Sequence, residues 1–515
     1  MTYSESRRSD ETDRRPPLSA PHGGAAASAR DGKWVGWLAA LTALTALCIF
    51  AQMIGPLLQI GHPISVNNNE GWNAYWTERA LAGQPLYTGP ASPLSDNYPP
   101  LSFYIVGLFN RALGDLVLTG RLLSLVALIG TGWLVGLIAA RAGRPSVWAW
   151  FGGAIFLLVA VSMAPRYIAA DDPQWMAEAL QLIALALLIT RCGGGFTPAR
   201  LIGAAFVLLV AGLIKHNQVA LPLAITGALA IHDRRALAVW IGAGVLVLGC
   251  ALAGLHILYG PLFFDQVLHH VRTLHVESLK YGLFDLSYLL PGIVIAAVYL
   301  PRLPGWKQDS RLTLLALFAI LALGFGMFER LGAGVSHNAH FDAIIAISIL
   351  IGVLLSAAPP ATLPIAARLS VMALVIAPAA IKDLVGIPHR IETVRTLAAR
   401  DQAWRDTIRF LGTRPGPVAC EMPALCYWAG KPYTLDFFNY GQKMRRIGDP
   451  WKLRARIAAR QFDALVVARD DDYGTDNGRL PPDVYKLIEA NYRIERTLPD
   501  NLYILVPIRP AAPSA

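Results

Sequence analysis

Long apolar segments alternate with short polar ones over most of this chain. Eleven of the apolar segments are close to the roughly 20 residues that a helix needs to cross a bilayer. They cover residues 34–60, 116–140, 146–164, 173–190, 199–214, 217–231, 236–258, 285–301, 312–328, 340–357 and 361–381. The pattern predicts an all-α polytopic membrane protein with about eleven transmembrane helices.

The pattern changes after residue 384, where charged residues become frequent and apolar runs become short. GPVACEM and DALVVAR resemble buried strands, and YRIERTLPDNLYILVP resembles two strands joined by a turn. WKLRARIAAR and PDVYKLIEANY have helical spacing. Residues 385–515 are therefore predicted to form a small α/β domain. Cys420 and Cys426 in this domain suit either a disulfide or two unpaired buried thiols, and their spacing does not decide between them.

Charge distribution sets the expected orientation. Residues 1–33 are polar, lack an apolar pattern and are predicted to be a disordered tail rather than a signal peptide. Arg and Lys are frequent in this tail and in alternate connections, which the positive-inside rule assigns to the cytoplasm. With an odd number of spans, the loop at 61–115 and the C-terminal domain then lie on the outer face of the membrane.

Composition agrees with a membrane protein. The chain is 54% hydrophobic and 16% charged, whereas soluble domains carry roughly a quarter charged residues. Its net charge is +10, and many of its basic residues lie in short loops between apolar segments. Nucleic-acid binding is not expected, because it needs basic residues gathered on a soluble module.

The predicted outward loops hold most of the candidate chemistry. An ionisable residue next to a membrane span is costly, so each one is a functional hypothesis. The loop at 61–115 is long for a connector, and residues 71–81 predict an amphipathic interfacial helix with Trp72, Tyr75 and Trp76 facing lipid. FFDQVLHHVRTLHVESLKYG has apolar residues at helical spacing and predicts a second interfacial helix. Its histidines lack a diagnostic ligand spacing, so neither a metal nor another cofactor is expected.

Three segments carry a resemblance to a known family. They are NEGWNAYWTERALAGQPLY, NYPPLSFYIVGLFNRALGDLVLTGRLLSLV and AADDPQWMAEALQLIALALL. Together they resemble the GT-C superfamily of membrane glycosyltransferases, and more narrowly the branch that holds protein O-mannosyltransferases and the lipid A aminoarabinose transferase. KHNQVALPLA and GVSHNAHFDAIIAISIL lie where that branch has similar segments. The resemblance covers about 34–360.

The resemblance implies a GT-C-like catalytic domain over 34–384. Such an enzyme transfers a sugar from a polyprenyl-phosphate donor to an acceptor hydroxyl of a lipid, glycan or protein on the outer face of the membrane. The main alternative is a lipid-linked sugar flippase, which predicts charges along the spans and binding features on both sides. Few charges lie within the apolar segments here.

Roles follow by position in the matching motifs. Glu70 matches the acid of the first outward loop and is the expected base, while Asp171 and Asp172 match the second acidic motif. The residues expected to bind the donor phosphate are Lys215, His216, Arg166, Arg272 and Lys280. Those expected to bind sugar or acceptor are Asn69, Tyr98 and Asp96.

Simpler roles stay open for several of these residues. Glu70 also fits a solvated loop carboxylate, and Asp172 fits the N-cap of the helix that follows Pro173. Lys215 also fits a lysine that snorkels to the interface, and Asp96 fits a turn residue. Arg166 is a plausible partner for the acidic pair, since adjacent carboxylates repel each other.

Overall fold

A computed structural model describes residues 24–190, 196–270, 272–359, 363–469, 478–499 and 501–508. The helices that precede the C-terminal domain are α1 (Gly24–Gln59), α2 (Asn69–Leu81), α3 (Leu101–Leu113), α4 (Leu116–Ala142), α5 (Val147–Met163), α6 (Gln174–Leu188), α7 (Pro198–Ile214), α8 (Ala220–His232), α9 (Arg234–Tyr259), α10 (Pro261–Phe263), α11 (Leu279–Ser287), α12 (Leu290–Tyr299), α13 (Ser310–Glu329), α14 (Phe341–Ala357) and α15 (Ile365–Val385). Each predicted apolar segment corresponds to one of these helices.

Helix length distinguishes two groups among them. In the described residues, six helices are long and apolar enough to cross a membrane, or seven if the bent pair at 276–287 and 290–302 forms one span. The other apolar helices, α3 and α5 to α8, have 10–17 residues. The chain is therefore a multi-pass membrane protein, and the count of eleven crossings stays a prediction.

Helix α14 lies at the centre of the bundle, packed against α4, α5, α12 and α13. Its apolar window is 94% buried within the protein, as expected for a helix that is hydrophobic on every side. The windows of α1 and α9 are only 17% and 11% buried. These two helices therefore leave broad apolar faces for lipid at the edge of the bundle.

The C-terminal domain is α/β, as predicted. Its elements are α16 (Ile387–Arg395), α17 (Leu397–Gly412), β1 (Val418–Cys420), α18 (Pro423–Trp428), α19 (Phe437–Ile447), α20 (Leu453–Ala458), β2 (Ala464–Ala468), α21 (Pro482–Asn491), β3 (Tyr492–Leu498) and β4 (Leu502–Pro507). The strand order is β1-β2-β4-β3, with β1 and β2 parallel and the other pairs antiparallel. All four predicted strands and both predicted helices are present.

Two further sequence predictions can be compared with the structure. Cys420 and Cys426 form a disulfide, so the pairing that the spacing left open is present. Helix α1 begins at Gly24, before the boundary predicted at residue 34. Residues 1–23 of the predicted disordered tail lie outside the described part of the chain.

The predicted lipid-facing aromatic side of α2 is wrong. Trp72, Tyr75 and Trp76 are all buried inside the protein, because the C-terminal domain packs over this helix. Tyr75 stacks on the Tyr433 ring with centroids 4.8 Å apart. The indole of Trp72 donates a hydrogen bond to Asp436 Oδ2 at 3.1 Å. These aromatic residues pack α2 of the membrane domain against the C-terminal domain and do not anchor α2 in lipid.

The second predicted interfacial helix is also not continuous. Residues 264–268 form a short π-helical turn, and a new helix, α11, begins only at Leu279. Between them the backbone pairs with the loop after α13: the Ala333 amide donates to the Thr273 carbonyl at 2.8 Å, and the His275 amide to the Leu331 carbonyl at 2.8 Å. This ladder satisfies backbone groups that a helix would otherwise use.

The contact between Gly71 and α18 generates a testable prediction. A Cβ atom at Gly71 would lie 2.0 Å from the backbone nitrogen of Ala424, and a backbone atom cannot move aside as a flexible side chain does. Gly71→Ala should destabilise the docked C-terminal domain by about 1–3 kcal/mol. Limited proteolysis of the purified protein should show faster release of this domain.

Gly36→Ala in α1 is the matched control, because no atom lies within 4 Å of a Cβ at Gly36. Equal proteolysis rates for the two variants would contradict the role assigned to this contact.

Candidate active site

A buried ion pair joins α2 to α4 at the end of the bundle that carries the C-terminal domain. Arg121 Nε and Nη2 donate to the two carboxylate oxygens of Glu70 at 2.7 and 2.9 Å. The remaining guanidinium donors reach the carbonyls of Ile60, His62 and Ile64 at 2.6–2.9 Å. Both side chains are almost completely buried. The pair therefore fixes the start of α2 and the chain that leaves α1 to one point on α4.

Glu70 also accepts hydrogen bonds from neutral groups. Ser65 Oγ and the Val66 amide donate to Oε2 at 3.1 and 2.7 Å, and the Asp171 amide donates to Oε1 at 3.3 Å. With five donors on two oxygens, the carboxylate has no lone pair facing a substrate. This geometry argues against the predicted role of Glu70 as the base, and also against a solvated loop carboxylate. It indicates a structural anchor.

Asp171 lies directly beside this pair. Its side chain is 2% exposed, and its Oδ2 has no hydrogen-bond partner among the described residues. Burial raises the pKa of the Asp171 carboxyl well above its usual value, the neighbouring Glu70 and Asp172 carboxylates raise it further, and Arg121 opposes them. A Cβ at Gly120 would overlap the Asp171 carboxylate at 1.8 Å, so glycine makes room for this group on α4. The surroundings of Asp171 therefore favour its protonated form.

The carboxylate of Asp172 has different partners from that of Asp171. Its Oδ2 accepts from Asn69 Nδ2 at 2.7 Å, and its Oδ1 accepts from the Gln174 amide at 2.9 Å. The second bond is a capping bond at the start of α6, so the N-cap alternative describes part of its role. Each oxygen keeps a further acceptor position. The Arg166 side chain is exposed, and it forms no ion pair with the acidic pair in the described residues; Arg121 is the cation on this side.

Lys215 lies next to Asp172 on the aromatic face of Tyr98. Its Nζ is 3.6 Å from the centroid of the Tyr98 ring, and the side chain is 7% exposed. The pKa of Lys215 is lowered to about 8, mainly by burial, with the Asp172 and Glu329 carboxylates opposing the shift and the Arg272 charge adding to it. A buried cation that loses its proton near neutrality is short of negative charge. The snorkelling alternative is therefore not supported.

The other candidate cations are Arg272, His216 and Lys280, and only some of them lie near Lys215. Arg272 Nη1 donates to the Ala333 carbonyl at 3.2 Å, and its charge acts on Lys215 and Tyr98. His216 is exposed beside Lys215. Lys280 is exposed on α11, where its Nζ lies 4.9 Å from the Tyr281 ring. No contact joins it to the other candidate residues in the described chain.

Asp96 stabilises a turn, which is the simpler of the two roles that its sequence position suggests. It is fully buried, and its Oδ1 accepts from the Tyr98 amide at 2.9 Å. Its own amide donates to Gln266 Oε1 at 3.0 Å. Asp96 thus sets the backbone that presents the Tyr98 ring to Lys215, and it does not face an open site itself.

The most important residue that sequence reasoning missed is Arg121. It lies inside a predicted span, and an arginine there needs a buried partner. That signal was available, although its partner was not, since Glu70 lies 51 positions earlier in the chain. Tyr167 was also missed. Its hydroxyl donates to Asn338 Oδ1 at 3.0 Å, and it lies within electrostatic range of Asp172.

The arrangement suits an anionic ligand and a proton transfer, but not a clustered metal. Lys215 and Arg272 offer positive charge beside the ionisable carboxylate of Asp172. Within the described ranges, no group of three or more His, Cys, Asp or Glu side chains could hold a metal ion.

Solved structures share this fold, while no protein-family model and no curated protein matches the chain. ArnT from Cupriavidus metallidurans bound to undecaprenyl phosphate aligns with a TM-score of 0.60 at 15% identity, over 93% of this chain and 99% of that one. The Archaeoglobus fulgidus oligosaccharyltransferase tethered with an acceptor peptide aligns with a TM-score of 0.53 at 10% identity, over 92% and 74%. AglB of that organism with an inhibitory peptide and a dolichol-phosphate gives 0.51 at 11%, over 92% and 74%. The predicted GT-C fold is confirmed.

The ion pair between Arg121 and Glu70 can be tested by removing one partner or both. Arg121→Met should lower the free energy of unfolding by about 3–5 kcal/mol, because it leaves the Glu70 carboxylate buried without a cation. Adding Glu70→Gln should recover part of that loss, because no charge then stays unpaired. Thermal unfolding of the detergent-purified variants measures both effects.

Arg111→Met is the control, since Arg111 is an exposed residue of α3 and its replacement should change the melting temperature little. Strictly additive losses in the Arg121→Met, Glu70→Gln double variant would contradict a coupled pair.

Proposed function

We propose that this protein is a membrane glycosyltransferase that moves a sugar from a polyprenyl-phosphate donor to an acceptor hydroxyl. The observation that supports it best is the buried Lys215, whose ammonium lies on the Tyr98 ring within electrostatic range of the Asp172 carboxylate. ArnT, with the same fold, is described as bound to undecaprenyl phosphate. A phosphate on Lys215 would supply the negative charge that this lysine lacks. The proposal sets the reaction on the periplasmic face of a bacterial inner membrane, where the charge pattern assigns this end of the bundle.

In this proposal Asp172 is the base, and Glu70 takes a positioning role. Asp172 removes the proton from the acceptor hydroxyl, whose oxygen attacks the anomeric carbon as the bond to the phosphate oxygen breaks. The leaving phosphate gains negative charge, which Lys215 and Arg272 stabilise. One displacement with one base inverts the anomeric configuration. Asn69 holds Asp172 in place through its 2.7 Å hydrogen bond, and the raised pKa of Asp171 disfavours a second negative charge at the site.

The decisive experiment offers purified protein a panel of undecaprenyl-phosphate sugars with cell-envelope acceptors. Asp172→Asn should lower kcat by about 10²–10⁴-fold, the usual contribution of a general base. Asp115→Asn is the matched control. Asp115 caps α4 through the Leu118 amide at 2.8 Å, and asparagine caps as well as aspartate.

Undiminished turnover in Asp172→Asn would remove Asp172 as the base. A protein that moves the sugar lipid across vesicles but never transfers the sugar would instead be the flippase alternative.

Lys215 predicts a pH dependence of donor binding. The lysine is charged below its pKa of about 8 and neutral above it, so affinity for undecaprenyl phosphate should fall as pH rises from 7 to 9.5. One proton limits the loss to at most about tenfold per pH unit. Isothermal titration at each pH measures the affinity.

Lys215→Met should bind weakly at every pH and lose this slope. A wild-type affinity that stays constant across the range would exclude Lys215 as a phosphate ligand.

A further inference from the structure

A small polar cavity lies inside the helix bundle, beside the start of α6 and the end of α13. Its volume is about 10 Å³, which is the room that one water-sized particle needs. Its polar lining comprises three acids and four amides: Glu178, Glu329, Asp342, Gln174, Asn217, Gln218 and Asn338. It is separate from the cluster formed by Asp172, Lys215 and Tyr98, although it lies close to that cluster.

The three acids of this lining differ in their neighbours. Glu329 lies within electrostatic range of Arg272 and Lys215, whereas Glu178 and Asp342 interact with each other. Among the described residues that line the cavity, none is Lys, Arg or His. Burial of a carboxylate away from water is costly unless a counter-charge is present. Charged groups inside a membrane protein accordingly pair or mark an ion site.

Two of the four amides have used a hydrogen-bond donor on these acids. Gln174 Nε2 donates to Glu178 Oε1 at 2.8 Å, and Asn217 Nδ2 donates to Glu329 Oε2 at 3.2 Å. Gln174 is 1% exposed, and its Oε1 has no partner in the described chain; neither does Asn217 Oδ1. Gln218 is 9% exposed, and both of its amide atoms lack a partner there. What remains for a ligand is therefore mostly oxygen acceptors.

We propose that this cavity binds one small monovalent cation of the Na⁺ or K⁺ class. Hard cations take carboxylate and amide oxygens as ligands, and the volume suits a single ion rather than a sugar. Glu178 and Asp342 supply the negative charge, and the free oxygens of Gln174 and Gln218 complete the shell. A divalent ion is not favoured, because no three carboxylates in the described residues are arranged to hold one.

The ion would connect the segments that carry the candidate active site. Gln174 follows Asp172 by two residues, and Gln218 follows Lys215 by three. Asn338 accepts from Tyr167 and precedes α14. A bound cation would hold α6, the chain before α8 and the start of α14 together. This inference does not depend on the proposed transfer reaction.

The test uses the full-length protein in detergent, with Na⁺ and K⁺ chloride compared against choline chloride at equal ionic strength. Choline screens surface charge equally but is too large for the cavity. Either alkali cation should raise the melting temperature by about 2–4 °C at saturation. Equilibrium binding of ²²Na⁺ and ⁸⁶Rb⁺ should show saturable uptake of one of them, near one ion per chain.

Asp342→Asn and Glu178→Gln should abolish both the cation-dependent shift and the radiolabel binding. In choline these variants should melt no lower than the wild type, since each removes a buried charge, whereas loss of a purely structural contact would lower the melting temperature in every salt. Asp265→Asn, which changes an exposed acid, should keep the full response. Equal melting in all three salts without saturable ²²Na⁺ or ⁸⁶Rb⁺ binding would overturn the proposal, and the acids would then be neutralised by protons.

Discussion

The ion pair between Glu70 and Arg121 is the interaction on which the rest of the site depends. A carboxylate and a guanidinium with almost no exposure are stable only if every remaining donor and acceptor is satisfied, and here the backbone of 60–66 supplies the missing partners. The chain between α1 and α2 consequently has one allowed path. Asn69 is the residue before Glu70, so the same pair also fixes the amide that holds Asp172.

The carboxyl groups of Glu70, Asp171 and Asp172 lie close together here, and each has different neighbours. Glu70 is paired with a cation, and burial beside two other acids raises the pKa of the Asp171 carboxyl. Asp172 accepts hydrogen bonds only from neutral donors, Asn69 and the Gln174 amide. Neighbouring carboxylates repel each other, so they cannot all carry a negative charge unless cations or hydrogen-bond donors compensate it. Of the three acids, Asp172 is the one that lies within electrostatic range of Lys215, which suits the proposed role as base.

The sequence predicted elements better than contacts. Apolar length and strand composition identify the apolar helices and the four predicted strands, because those properties depend on local chemistry. The prediction that the aromatic residues of α2 face lipid is wrong because periodicity cannot distinguish a lipid-facing side from one covered by another domain. Glu70 was selected by its position in a motif, whereas its role depends on Arg121, which lies far away in sequence. Tyr98 and Lys215 were chosen separately, and only the structure joins them.

The C-terminal domain packs closely against α2 of the membrane domain and is not loosely attached. Gly71 approaches the backbone of Ala424 so closely that a methyl group does not fit, and Trp72 is hydrogen-bonded to Asp436 in the buried interface. The guanidinium of Arg479 contacts the Asn68 amide and pairs with Glu421 at 2.8 Å. Close-packed interfaces of this kind switch between discrete states and do not deform smoothly. In the proposed reaction, the edge of this closely packed domain would be where selection among lipid, glycan and protein acceptors acts.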